Sequence, residues 1–279
     1  MDPLDVLISG MHRPTRETDP MNYKTISSER KGAVGILYLD RPQVLNALSE
    51  EMQRELLHFM QWARDDDSLR VLILTGRGRT FSAGGDLNMF KQAYEAYQRD
   101  GTESRLGETN LPCAFIDFPK PLIAAINGAA VGFGLTVALT CDIRIAAENA
   151  LFSCAFARIG VTPEFGSSYL LPKVVGYARA AELAFTAKDI DAQEAYRIGL
   201  VNRVVPPEEL MVVSEAFATE IAALPHEAIR MAKRVLRHGS QSTLEQTLPY
   251  ESLIFQYCTR TAEHYKTVCE VLAKIKGAP

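Results

Sequence analysis

The strongest constraint in this sequence is a series of short, nearly continuous apolar runs separated by long stretches of chain. The runs are 33–39 (AVGILYL), 71–76 (VLILTG) and 121–128 (PLIAAING), each bounded by a glycine or another turn residue. A strand that is apolar at every position is buried on both faces, as in a parallel sheet covered by helices. The runs stand too far apart for hairpins, so the chain between them must cross over. The first crossover carries its own start signal. Ser49 is placed to cap a helix, Glu50 and Glu51 suit the positive end of its dipole, and Met52, Leu56, Phe59 and Ala63 fall on one face.

Further along, 143–148 (IRIAAE) and 151–156 (LFSCAF) read as short strands, and a helical pattern begins at Tyr169. Another helix starts at Asp191, with Glu194 in a capping-box position, and ends at Gly199 before the strand in LVNRVV. Pro206-Pro207 is the first candidate linker. Beyond it, 208–224, 225–238 and 243–275 are helical, with Ile229, Ala232, Val235 and Leu236 at helical spacing and Pro249 expected to break or kink the last segment. The expectation is an α/β fold: a mobile N-terminal arm over 1–20, a body over 21–205 and a helical region over 206–279 that packs on the body or on another subunit.

With 279 residues, 47% of them hydrophobic, the chain can bury a core for one large domain or two smaller ones. Thirty Lys and Arg against 34 Asp and Glu give a net charge of -4, without the basic excess that a nucleic-acid backbone attracts. No apolar run approaches the roughly 18 residues of a spanning helix, so neither nucleic acid nor membrane is expected as a partner. Cys113, Cys141, Cys154, Cys258 and Cys269 form no C-x-x-C, and the five histidines show no metal-binding spacing. No metal is expected, and a reducing, cytoplasmic compartment fits. Residues 1–20 carry Asp2, Asp5, Glu17 and Asp19, too acidic for a transit peptide.

Two glycine-rich turns are the candidates for chemistry. The first is FSAGGDL (81–87), where Gly84 and Gly85 either let backbone N–H groups face a ligand or form an ordinary turn. The second is NGAAVGFG (127–134), between an apolar strand and the helix LTVALTC. A helix N-terminus carries unpaired N–H groups that can hold an anion or a developing oxyanion. Gly132-x-Gly134 lacks the third glycine of a dinucleotide loop, Val137 standing in its place, and no G-x-x-x-x-G-K-[ST] occurs, so NAD and ATP are disfavoured. Two such turns together supply a pair of backbone donors for one carbonyl oxygen.

FSAGGDL followed by KPLIAAINGAAVGFGLTVALTCDIRIA resembles the crotonase, or enoyl-CoA hydratase/isomerase, superfamily. The similarity runs over about residues 23–275 and includes RPQVLNAL at 41–48. It implies a crotonase-like ββα superhelix, a helical C-terminal region for oligomerisation as a homotrimer or dimer of trimers, and an acyl-CoA thioester as substrate with no separate cofactor. Carried over by position, the amides of Ala83 and Phe133 form the oxyanion hole. Phe133 stands where many relatives have glycine, yet its donor is the backbone N–H. Val44, Asn46 and Ala47, with Ala83, Gly84, Gly85, Asp86, Leu87, Gly132 and Phe133, would flank the CoA moiety and the thioester. For Asn46 and Asp86 a purely structural turn role is equally open. Lys266, Lys274 and Lys276 either pair with CoA phosphates or form a solvated helix face.

A thioester polarised by two amides has an acidified Cα–H and needs a base. Family hydratases use two glutamates, at positions that match Thr136 and Phe156 here. Threonine is too weakly acidic to act as a general base unaided, and phenylalanine transfers no proton. The segment GVTPEFGSSY (160–169) resembles the Pro-Glu-x-x-Ser-Ser stretch of peroxisomal-type Δ3,Δ2-enoyl-CoA isomerases, which makes Glu164 the candidate acid/base. Phe156, Phe165 and Phe133 are candidate apolar walls that would raise its pKa, and Ser167 and Ser168 are expected to cap the next helix. Asp142 is expected to be structural. The implied activity is double-bond isomerisation; the alternatives are hydration of a 2-enoyl-CoA and non-catalytic acyl-CoA binding.

Overall fold

The computed structural model describes residues 22–103 and 109–276, so the arm expected over 1–20 lies outside the described residues. The strands in chain order are β1 (Ile26–Lys31), β2 (Val34–Leu39), β3 (Val71–Gly76), β4 (Leu122–Ile126), β5 (Ala130–Val131), β6 (Ile143–Ala147), β7 (Leu151–Ser153), β8 (Asp189–Asp191) and β9 (Arg203–Val205). The helices are α1 (Glu50–Asp65), α2 (Leu87–Asp100), α3 (Leu111–Ile116), α4 (Phe133–Thr140), α5 (Ser167–Val175), α6 (Tyr177–Thr186), α7 (Ala192–Arg197), α8 (Leu210–Ala222), α9 (His226–Gly239), α10 (Leu244–Thr259) and α11 (Ala262–Lys276).

A six-stranded sheet in the order β1-β2-β3-β4-β6-β9 forms the centre, and β5-β7-β8 make a smaller second sheet. Only the β1–β2 hairpin is antiparallel in the large sheet; the crossovers inferred from the apolar runs pair parallel. Both faces are covered, which is why β2, β3 and β4 are buried at every position. On one face Leu37, Leu39, Leu72, Leu74 and Ala124 meet Met52, Leu56, Phe59 and Met60 of α1. On the other, Val34, Ile36, Ile73, Ile123 and Ala125 meet Leu210, Ala218 and Ala222 of α8.

Helix α8 therefore belongs to the body. Pro206-Pro207 opens a 3-10 turn (Pro207–Glu209) that feeds α8 onto the sheet, instead of a linker to a separate region. Farther on, α9 is fastened by Lys233 and Arg237, which both reach Asp142, and Glu263 of α11 accepts hydrogen bonds from the amides of His226 and Glu227 at the start of α9.

Several local expectations change. The strand expected over 151–156 stops at Ser153, and a 3-10 turn (Ala155–Ile159) follows. Asp191 does cap α7, accepting from Glu194 N at 2.7 Å, but the Glu194 carboxylate pairs with Arg197 instead of closing a capping box. Pro249 is accommodated inside α10, and the break comes at Arg260-Thr261. Helix α5 is capped by Gly166, so neither Ser167 nor Ser168 is its N-cap.

Candidate active site

The 41–48 loop is shaped by a 3-10 turn (Pro42–Val44) followed by Leu45 and Asn46, both at positive φ. Asparagine tolerates this region because its short side chain bonds locally. Here Asn46 is fully buried, its Oδ1 accepting from Arg41 N at 2.9 Å and its Nδ2 donating to Arg77 O at 3.0 Å and Thr80 O at 2.8 Å. Of its two open readings, the turn role is the one these bonds describe.

That loop is zipped to the first glycine turn. Ser82 Oγ donates to Asn46 O, Ala83 N to Leu45 O (2.9 Å), Leu48 N to Gly84 O (2.8 Å) and Asp86 N to Leu48 O (3.0 Å). The first glycine turn is in turn tied to the second: Ser82 N donates to Ala129 O and Val131 N to Ser82 O. The approach is close enough that a Cβ at Gly134 would lie 2.5 Å from Ser82 O. Gly132, at φ +50, turns the chain into α4.

These bonds correct one assignment. The Ala83 amide is engaged with Leu45 O and cannot also receive a ligand oxygen. Two residues on, the Gly85 amide has no acceptor among the described residues. The Phe133 amide, at the first position of α4, has no intrahelical acceptor by the geometry of helix starts.

A cavity of about 860 Å³ opens over the two turns. It is lined by Ala83, Gly84, Gly85, Asp86, Leu87, Gly132, Phe133 and Glu164 from the expected set. Val44, Asn46 and Ala47 are not among its lining residues. Asp86 also caps α2, accepting from Asn88 N at 3.1 Å, and sits 3.5 Å from the Arg41 guanidinium. Lys266 lies on an exposed face of α11, 4.0 Å from Glu270, with Lys274 and Lys276 exposed on the same helix.

Glu164 projects into this cavity half-buried, with Phe133, Phe156 and Phe165 among its neighbours on the lining. The Phe133 and Phe165 rings meet edge-on with centroids 5.3 Å apart, and Phe115 packs on Phe165 from α3. Among the described residues its carboxylate has one hydrogen-bond partner, the Thr136 hydroxyl at 3.2 Å. Burial pushes the Glu164 carboxyl above the usual glutamate range, and the Thr136 bond pulls partly the other way. The backbone of Glu164 is pinned from behind, its carbonyl accepting from Ser167 N (3.0 Å) and Ser167 Oγ (2.6 Å). That pin is the use the structure makes of the serine expected to cap α5.

Among the lining residues that the sequence reading did not single out are Phe90, Tyr94 and Tyr97 on α2. Their spacing places them on one helix face, and that periodicity was the available signal.

The comparisons with known proteins agree with this geometry. Residues 29–276 match the family model described as enoyl-CoA hydratase/isomerase. The chain is 34% identical to the short-chain-enoyl-CoA hydratase of Clostridium acetobutylicum over 92% of its own length and 97% of that protein. It is also 34% identical to the 1,2-epoxyphenylacetyl-CoA isomerase of Escherichia coli K12, covering 89% of this chain and 95% of the relative. The crystal structure of an enoyl-CoA hydratase from Bacillus anthracis superposes with a TM-score of 0.80 at 31% identity, covering 90% of this chain and 97% of that one. A strand-to-helix pair of glycine turns, a cavity above them and a match over nearly the whole chain lead to one statement: the chain belongs to the enoyl-CoA hydratase/isomerase family of the crotonase superfamily and is an enzyme of acyl-CoA thioesters.

Proposed function

We propose that this enzyme is a Δ3,Δ2-enoyl-CoA isomerase in which Glu164 is the single acid/base. The carrying observation is that Glu164 has no cationic partner among the described residues and faces an apolar cavity, while Phe156 lines that cavity at the position of a hydratase's second glutamate. The thioester oxygen sits between the N–H groups of Gly85 and Phe133. Each such donor contributes roughly 3 to 4 kcal/mol to the developing enolate. Glu164 takes a proton from C2, the dienolate rests in the oxyanion hole, and the same carboxyl group returns the proton to C4. The proton balance closes without water, metal or cofactor. Desolvation favours this role, since a carboxylate with raised proton affinity is better matched to a weak carbon acid.

The test is turnover of trans-3-enoyl-CoA esters, followed by the growth of conjugated-thioester absorbance, with wild type beside Glu164→Gln. Conversion that collapses in the variant supports the reading; equal rates overturn it.

A second reading, hydration of 2-enoyl-CoA, draws support from the C. acetobutylicum and B. anthracis relatives, both described as hydratases. In it Glu164, together with a second group, holds and activates the water. Water addition that depends on Glu164, with no shift of a 3-enoyl double bond, selects it. For assembly, a homotrimer or a dimer of trimers would bury the exposed apolar side chains of α10 and α11, among them Leu248, Phe255, Leu272 and Ile275. A reducing cytoplasm suits the free cysteines.

A further inference from the structure

Thr136 is fully buried, one turn into α4, and its hydroxyl oxygen stands 3.2 Å from two acceptors: the carbonyl of Phe133 and Oε1 of Glu164. A hydroxyl has one proton and two lone pairs, so it can donate to only one of these at a time. We infer that Thr136 is the positioning residue for Glu164, holding its carboxyl group in both protonation states by reversing one hydrogen bond. The inference rests on the reading of Glu164 as the base.

With Glu164 ionised, the threonine proton points to Oε1. Once Glu164 has taken a proton from the substrate, its own O–H donates back to the threonine oxygen and the threonine proton rotates to the Phe133 carbonyl; both rotations reverse as the carboxyl O–H turns to deliver its proton to C4. No covalent bond to Thr136 forms or breaks, and no buried polar atom is left unpaired at either stage. The same residue, Phe133, supplies the oxyanion N–H of the proposed function, so Thr136 also ties the base to the helix start that orients the donor. Threonine suits the task because its β-branch restricts χ1.

The surroundings offer no substitute among the described residues. Helix α4 carries no titratable group, and α3 contributes only the exposed Cys113. The Lys173 and Tyr169 side chains of α5 bond to each other. Around the rest of the cavity, Asp86 pairs with Arg41 and Arg158 pairs with Asp189, while Tyr94, Tyr97 and Glu103 have no bond to Glu164.

The experiment compares wild type, Thr136→Val, Thr136→Ser, Thr136→Ala and Glu164→Gln in 3-enoyl-CoA isomerisation across pH. Thr136→Val keeps the shape and removes the hydroxyl. It is expected to lower kcat about tenfold or more with little change in KM. It should also move the acidic limb of the kcat/KM profile to higher pH, because the bond to the ionised carboxylate, charge-assisted and so the stronger of the two, is gone. Thr136→Ser should restore most of both. Should Thr136→Val lose its fold by circular dichroism, the Ser and Ala variants carry the same comparison, since they differ only by the hydroxyl. Wild-type kinetics in the Val variant, or equal damage in Ser and Ala, overturn the inference. If Glu164→Gln is inactive while this happens, the isomerase reading survives; full activity in Glu164→Gln overturns both.

Discussion

Asp142 and Glu164 are two carboxylates set against the same helix, and they differ in what they are given to bond. Asp142, just past the end of α4, accepts from Leu122 N at 2.8 Å, Lys233 Nζ at 2.6 Å and Arg237 at 3.2 Å. It joins β4, the start of β6 and α9. Glu164, facing the first turn of α4, accepts from one neutral hydroxyl and is otherwise surrounded by aromatic walls. A carboxylate with several donors, two of them cationic, works as a fastener between the elements that supply them. One that is desolvated and almost unpaired keeps its affinity for a proton and is available for exchange.

Exchanging the two behaviours by mutation tests this contrast. Glu164→Gln should lower isomerase kcat by about 10²- to 10⁴-fold, the usual contribution of a positioned acid/base, with the circular dichroism spectrum unchanged. Asp142→Ala should instead destabilise by about 3 kcal/mol in urea unfolding, because among the described residues it leaves the buried Lys233 ammonium with only the Lys120 carbonyl as acceptor, and the folded fraction should stay active. Gly134→Ala would sharpen the picture from the side of α4. Its Cβ, 2.5 Å from Ser82 O, must push the two glycine turns apart, so a loss of about 2 kcal/mol in thermal unfolding should come with reduced kcat.

The smallest effects concern pH. Because the folded-state pKa of Glu164 is raised by burial, its contribution to stability is fully present below the unfolded value and is lost as pH rises through the folded one. Glu164→Gln should therefore match wild type in acid and be slightly more stable near neutrality. The same shift places the rising limb of wild-type kcat/KM above the ordinary glutamate range. A limb at or below that range would contradict the contrast between the two acids.

Much of the fold was legible because burial writes itself into sequence. β2, β3 and β4 are apolar at nearly every position, and Ser49 marks the start of α1 by accepting from Met52 N. The small sheet was harder, since β5 is two residues long and β8 is exposed at both ends. At the site, Glu164 and the two turns could be read from motif. The Ala83 amide could not, because its availability depends on Leu45 O, a partner set by how two loops dock. Nor could the Lys233–Asp142 pair, which joins residues brought together only by the packing of α9. Hydrogen-bond partners across long loops leave no periodic trace, whereas faces of helices and strands do.

The zipper between the 41–48 loop and the glycine turn has a consequence for inheritance. Its bonds run largely between main-chain atoms: Leu45 O with Ala83 N, Gly84 O with Leu48 N, and Leu48 O with Asp86 N. Most side-chain replacements along it leave those atoms in place, so lineages can diverge in letters while the scaffold under the catalytic turn is passed on unchanged. A chain and its relative can thus differ at about two positions in three and still share one fold.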